Sequence, residues 1–239
     1  MRFGRAVSID VRSAADQNTR DTEESYTRRG IKSELHGVFQ LVNLWTGIGR
    51  SAASTEPGPS RDMRMNMAKL QSSFRLLDDL SVVSARLDHM LKAIDPSHHQ
   101  LLSEASRTLK ERNPAYKRFS IGDPTCFHGR SIIYNRETGE HTDRRDPNLA
   151  WTPILTTGRY TTGKLHVAGM EIDYLPGTLV FLRGGLLKHS VTFSGGQRVC
   201  IAHFTHRTIL RTVNAAVVPL ATRKELDQKW LDRLDCNDI

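Results

Sequence analysis

The feature that most constrains this chain is a run of short β-rich segments, each closed by a turn pair, that fills its second half. Residues 131–135, 151–156, 164–168, 171–174, 178–182, 189–193 and 198–206 are rich in β-branched and aromatic side chains. Between them stand Thr138-Gly139, Asp146-Pro147, Thr162-Gly163, Pro176-Gly177, Gly184-Gly185 and Gly195-Gly196, all turn signals. Short strands at regular spacing bury their apolar faces as a sandwich or barrel, and a double-sheet jelly roll fits this pattern.

The first half reads differently. Leu35, Val38, Phe39, Val42 and Trp45 recur at helical spacing and predict a helix over 33–45. A loop is expected over 51–60. A long helix follows from about 61 to 94, with Met63, Met67, Leu70, Phe74, Leu77, Leu80, Leu87 and Leu91 as its apolar stripe. Asp95-Pro96-Ser97 breaks it and caps a helix over 98–112, which Asn113-Pro114 ends. Residues 222–234 read as one amphipathic helix. The expected fold is α+β, a jelly-roll core with an N-terminal helical region packed against it. Its parts are a polar arm (1–30), the helical region (31–114), the core (115–212) and a C-terminal helix (213–239), forming one compact domain.

Within the β-rich half lies His141-Thr142-Asp143, followed by His189 and Arg198. Two histidines and one carboxylate are the ligand set of a non-haem Fe(II) centre with open coordination positions. On a strand end, residues two apart point the same way, so His141 and Asp143 can chelate together. An arginine soon after the second histidine is where such a centre holds a dicarboxylate co-substrate, so Fe(II), 2-oxoglutarate and dioxygen are the expected cofactor set. The triplet alone is a weak signal; its conjunction with His189 and Arg198 is stronger. Zinc is the competing metal, but it leaves the arginine and the strand pattern unexplained.

Period two along residues 198–206 places Arg198, Cys200, Ala202, Phe204 and His206 on one face. If Arg198 faces the iron to pair with a carboxylate, the others line the same cavity. Phe204 then offers a flat apolar surface and His206 a donor or acceptor, a pair suited to a planar heterocycle. Packing of Phe204 in the sheet core, with His206 closing the strand, explains the same spacing equally well.

A net charge of +8 and a sequence pI of about 9.7 favour a polyanionic partner, most simply nucleic acid. Lys110, Arg112, Lys117 and Arg118 cluster before the first core strand, and Arg144 and Arg145 follow the metal triplet. These are the expected phosphate contacts, although each alone reads as a solvated side chain. Arg159, Lys164, Arg183 and Lys188 are further cations beside the core loops, and Arg28 and Arg29 are a second option in the arm. The three widely spaced cysteines, Cys126, Cys200 and Cys236, argue against a disulfide framework. The polar N-terminus lacks the apolar core of a secretory signal. A reducing intracellular location, the nucleus for a DNA partner, is the expectation.

The stretches YNRETGEHTDRRDP, TTGRYTTGKLHV, LPGTLVFLRGGLLKHSV and GGQRVCIAHFTHR, spanning 134–207, resemble the TET/JBP-type nucleic-acid-base dioxygenases, particularly their short fungal members. The resemblance implies a double-stranded β-helix core and oxidation of a methyl group on a base of DNA, double-stranded and with the base flipped out. The products would be 5-hydroxymethylcytosine and beyond from 5-methylcytosine, and demethylated adenine from N6-methyladenine. It further implies His141, Asp143 and His189 as iron ligands and Arg198 on the far carboxylate of 2-oxoglutarate, with Arg136 a weaker candidate for the near one. Asp146, Phe204 and His206 take base-contacting positions, Ala202 lies on the same face, and the enzyme is expected to be a monomer. RNA, a small metabolite or a protein side chain remains the alternative substrate.

Overall fold

In the computed structural model, which describes residues 36–46, 57–64 and 66–215, two antiparallel sheets pack face to face. The larger has the order β1 (Gly37–Val42), β2 (Gly129–Tyr134), β9 (Gln197–Phe204), β4 (Thr152–Arg159), β7 (Leu179–Leu182). The smaller has the order β3 (Thr138–His141), β8 (His189–Ser194), β5 (Thr162–Val167), β6 (Met170–Asp173). Ile154, Leu182 and Cys200 from the first sheet meet Leu165, Val167 and Val191 from the second in the core between them. This is the jelly roll that the strand pattern predicts.

The outer face of the larger sheet is covered by helices α1 (Arg61–Arg64) and α2 (Met67–Ile94). Phe39, Leu41, Ile132, Tyr134 and Ile201 from the sheet pack against Met63, Leu76, Leu77 and Leu80. Each such fully buried aliphatic side chain stabilises the layer by about 1.5–3 kcal/mol. The same strands alternate, so Ser131, Ile133, Cys200 and Ala202 turn to the other side. A buried polar network pins the two layers. Arg130 of β2 pairs with Asp123, and donates to Ser84 Oγ of α2 at 2.7 Å and to His203 Nε2 at 2.9 Å. Asn43 Nδ2 donates to the same Asp123 carboxylate at 2.6 Å.

Several sequence expectations are corrected. The helix over 33–45 is instead strand β1, paired in unbroken register with β2 from Gly37↔Tyr134 to Val42↔Gly129. The edge of β2 supplies backbone partners, and Phe39 and Leu41 reach the helical layer at period two, so tertiary pairing overrides the local pattern. The single helix over 61–94 is two, with Asn66 capping α2 through Lys69 N at 2.9 Å, and Met67 is exposed rather than part of the stripe. Asp95 ends α2 and caps α3 (Pro96–Arg112), accepting from His98 N at 2.9 Å. Asn113-Pro114 ends α3 as expected but also starts a further helix, α4 (Pro114–Phe119), by the same device. Thr138-Gly139 and Thr162-Gly163 lie inside strands, not turns. A Cβ on Gly163 would overlap the Tyr174 carbonyl, so this glycine permits close approach of neighbouring backbone. The strand predicted over 198–206 stops at Phe204, and His206 stands at the N-cap of α5 (Arg207–Thr212). The predicted arm and the helix over 222–234 lie outside the described residues.

Candidate active site

His141 ends β3, His189 begins β8, and the two strands pair so that these histidines face each other in register. Asp143 follows two residues later, its N–H bonded to the Gly184 carbonyl at 2.8 Å. His141 Nε2 lies 3.6 Å from one carboxylate oxygen of Asp143 and His189 Nε2 3.9 Å from the other. One ligand atom from each residue falls within 4.8 Å of the other two. Each histidine places Nδ1 beside a backbone carbonyl, Gly139 O at 2.9 Å and Leu187 O at 3.0 Å. Those bonds fix the tautomer with Nδ1 protonated, leaving both Nε2 lone pairs directed at the carboxylate. Burial holds His189 below its ordinary pKa, in the neutral form a cation needs. The donor set and the fixed tautomers therefore fit a divalent metal.

The triad opens into a cavity of about 460 Å³ between the sheets. Arg198 lies in its wall, 2% exposed. Its Nε donates to Thr156 Oγ1 at 3.1 Å, and its guanidinium carbon stands 5.2 Å from the Tyr174 ring centre and 5.7 Å from that of Phe193. Among the described residues no carboxylate comes within ion-pair distance of it. A buried guanidinium without a counter-charge is costly, and a fork of donors in a cavity suits a bidentate carboxylate guest.

The other end of β9 brings Phe204 and His206 to the same cavity, with Ala202 between them and Arg198. The rings of Phe204 and His206 lie 4.6 Å apart at 40°. Asp146 also lines the cavity, accepting from Thr152 Oγ1 at 3.3 Å. Burial, with Asp143 close by, pushes its carboxyl up to about 8. Burial lowers His206 to about 4, so its ring is neutral at physiological pH.

The sequence pattern did not point to Gln40, Ser131 or Trp45, which also line the cavity. Gln40, Ser131, Ala202 and Ile154 form one row across four strands of the larger sheet. Ser131 donates to Gln40 Oε1 at 2.9 Å. Strand parity over 131–135 could have exposed Ser131 as a polar residue on the inner face. Gln40 and Trp45 were hidden by the helical reading of their segment.

Residues 49–207 match the model of the Tet/JBP family, described as the oxygenase domain of the 2OGFeDO superfamily. This chain belongs to the Tet/JBP family. Iron(II), 2-oxoglutarate and dioxygen are thereby its cofactor and co-substrates. Among solved structures, NgTET1 in complex with 5mC DNA aligns with TM-score 0.53 and 12% identity, over 91% of this chain and 75% of that chain, a likeness of fold. A Cupin 2 conserved barrel domain protein from Salinispora arenicola CNS-205 aligns at 12% identity over 37% of this chain and 71% of that chain, with TM-score 0.27. No curated protein sequence matches.

In this Tet/JBP chain the remaining expected site residues divide sharply. Arg136 has an exposed side chain outside the cavity wall, and its carbonyl accepts from Arg198 Nη1 at 3.5 Å. Arg144 and Arg145 line the mouth. Lys110, Arg112, Lys117 and Arg118 sit on α3 and α4, outside the cavity wall, where Lys110 rests 6.0 Å from the Tyr116 ring centre and Arg112 donates to Thr212 O at 3.5 Å. Lys164 pairs with Glu171 and Asp173, and Lys188 with Glu140, which competes with any phosphate. Arg183 covers Trp151, 4.5 Å from its ring centre, and Arg159 is exposed. Arg28 and Arg29 lie outside the described residues. A second group of possible ligands, Asp88, His99 and Cys126, lies between the helices and the loop before β2. There Asp88 takes His99 Nε2 at 2.9 Å and the Cys126 N–H at 2.7 Å, tying the helical layer to that loop.

Proposed function

We propose that this Tet/JBP oxygenase oxidises the methyl group of a methylated base in duplex DNA, converting 5-methylcytosine to 5-hydroxymethylcytosine and beyond, demethylating N6-methyladenine, or both. The observation that carries the reading is the inner face of β9. This strand presents a buried carboxylate receptor, Arg198, at one end and Phe204 at the other, and His206, at the N-cap of α5 just beyond it, joins Phe204 in facing the His141–Asp143–His189 triad. The net charge of +8 supports a polyanionic substrate, and the similarity in fold to NgTET1, a protein solved in complex with 5mC DNA, supports DNA.

His141, Asp143 and His189 would hold the iron, which with 2-oxoglutarate and dioxygen supplies oxidation of a C–H bond to an alcohol, with succinate and carbon dioxide as co-products. Arg198 would bind the far carboxylate of 2-oxoglutarate. Tyr174 and Phe193 screen the Arg198 guanidinium from water, which strengthens the ion pair. A base must leave the helical stack to bring its methyl group to the triad in this cavity. Phe204 then gives it a stacking surface. The neutral His206 ring and the buried Asp146 carboxyl offer hydrogen bonds to its edge, and Ala202 leaves room beside the methyl group. Arg144 and Arg145 meet phosphates at the mouth.

The test is incubation with Fe(II), 2-oxoglutarate and duplex DNA carrying both 5-methylcytosine and N6-methyladenine, followed by nucleoside mass spectrometry. Hydroxymethylcytosine or its oxidation products, or adenine gained at the expense of N6-methyladenine, is expected. No change relative to an Arg198→Ala control overturns the duplex-DNA reading in favour of RNA, a small metabolite or a protein side chain.

A further inference from the structure

Trp45 is a residue that neither the metal site nor the inner face of β9 accounts for. It lies three residues beyond β1, in a segment held on both sides. Trp45 N donates to Gly58 O at 2.6 Å and Gly58 N donates back to Trp45 O at 3.1 Å. Leu44 is buried with Leu109, Tyr116 and Ile209, and Thr46 Oγ1 shares a hydrogen bond with Thr208 Oγ1 at 2.7 Å. With both neighbours anchored away from the cavity, the Trp45 side chain takes the opposite side and lines it, half-buried.

There it continues a series of flat groups that runs outward. Phe204, 7% exposed, lies 4.6 Å from His206, and His206 lies 5.0 Å from the indole of Trp45 at 51°. The guanidinium of Arg145, an exposed side chain, stands 5.1 Å from the Trp45 ring centre. The backbone beneath Arg145 is braced, because Arg207 N donates to its carbonyl at 2.8 Å and Arg207 Nη2 to the Asp146 carbonyl at 3.0 Å. The series thus passes from a buried ring to an exposed cation. A nucleotide entering the cavity has the same polarity, base inward and phosphate outward.

We propose that Trp45 is a substrate-positioning residue, stacking against the nucleotide at the cavity mouth while Arg145 holds the indole in place and faces the phosphate. This inference rests on the nucleic-acid reading above. An aromatic side chain stacked on a base contributes binding without sequence preference and without any part in the chemistry. Trp45 therefore acts on substrate affinity and leaves the metal and 2-oxoglutarate steps alone.

The experiment compares the full-length protein with Trp45→Ala and Trp45→Phe on the methylated duplex oxidised by the parent. Trp45→Ala is expected to raise KM for DNA about ten-fold, with kcat and DNA-independent 2-oxoglutarate turnover within about two-fold of the parent, and Trp45→Phe to restore most of the loss. Binding of the same duplex should quench the parent's tryptophan fluorescence, and Trp45→Phe should remove that quench while still binding. An unchanged KM with an unchanged quench overturns the proposal, as does an equal fall of kcat and uncoupled turnover, which marks a structural role. Failure of the parent itself to bind or oxidise any methylated nucleic acid overturns the function and this inference together, whereas normal parent activity with an indifferent Trp45→Ala overturns this inference alone.

Discussion

The carbonyl of Gly184 accepts the Asp143 N–H at 2.8 Å, and a Cβ on Gly184 would overlap the Asp143 carboxylate. The glycine thus holds Asp143, a proposed iron ligand, by its backbone and leaves room for its side chain. Gly184→Ala is expected to weaken iron binding about ten-fold or more, read by metal titration, with the thermal midpoint shifted by only a few degrees. Wild-type metal affinity in the variant would show that the carboxylate has another place to go.

Arg198 is expected to report 2-oxoglutarate without any turnover. A ligand that binds only the folded state stabilises it, by about 2.7 kcal/mol at a hundred-fold excess over Kd. 2-Oxoglutarate should raise the thermal midpoint of the metal-loaded parent and leave that of Arg198→Ala unmoved, and the variant's KM for 2-oxoglutarate should rise far more than its KM for DNA. A larger rise in the DNA requirement would reassign the residue.

His206→Ala should cut DNA oxidation by about ten-fold or more while DNA-independent decarboxylation of 2-oxoglutarate stays within about two-fold. Its ring touches Phe204 and Trp45 and is remote in role from Arg198. Equal losses in both assays would place it outside substrate recognition.

The helical layer should prove inseparable from the sheets. Asp123→Ala leaves Arg130 buried without its counter-charge and removes the acceptor of Asn43, so a loss of about 3–5 kcal/mol in urea unfolding is expected. A loss below about 1 kcal/mol would mean that water or another acceptor replaces the carboxylate.

Stability should fall with acid below neutrality. Burial lowers His128 to about 3, His98 and His206 to about 4, and His203 well below its ordinary value. Above about pH 6.5 these histidines are neutral folded and unfolded alike. As pH falls from there toward 3–4 the unfolded chain takes up protons that the folded chain refuses, costing about 1.4 kcal/mol per pH unit for each histidine. Asp146, raised to about 8, works in the opposite direction but is one group against four. Urea unfolding at pH 7 and pH 5 checks the sign; equal stability at both would overturn it.

How far the fold could be read from sequence depended on whether a segment's partners were local. Glycine-rich turns and period two delivered the strands of the jelly roll, and the parity of 198–204 put Arg198, Cys200, Ala202 and Phe204 on one face, while His206 reaches the same cavity from the N-cap of α5. β1 failed because its strand character comes from the edge of β2, some ninety positions away, and from helices that cover Phe39 and Leu41. That one error also concealed Gln40 and Trp45. β3 was missed because it has only four residues, with a register shift between Thr138 and His141. Asn113-Pro114 shows a different ambiguity: the same dipeptide ends one helix and caps the next, and local sequence distinguishes neither use.

β3 is an edge strand, short, irregular in register and bonded on one side to β8 alone. Its last residue, His141, and the first of β8, His189, are both proposed ligands of one ion, so metal would act there as a clasp between positions 48 apart in the chain. Losing the ion would then loosen that edge strand as well as silence the site. Proteolysis or hydrogen exchange would find that edge first, so iron would add to the protein's stability as well as to its activity.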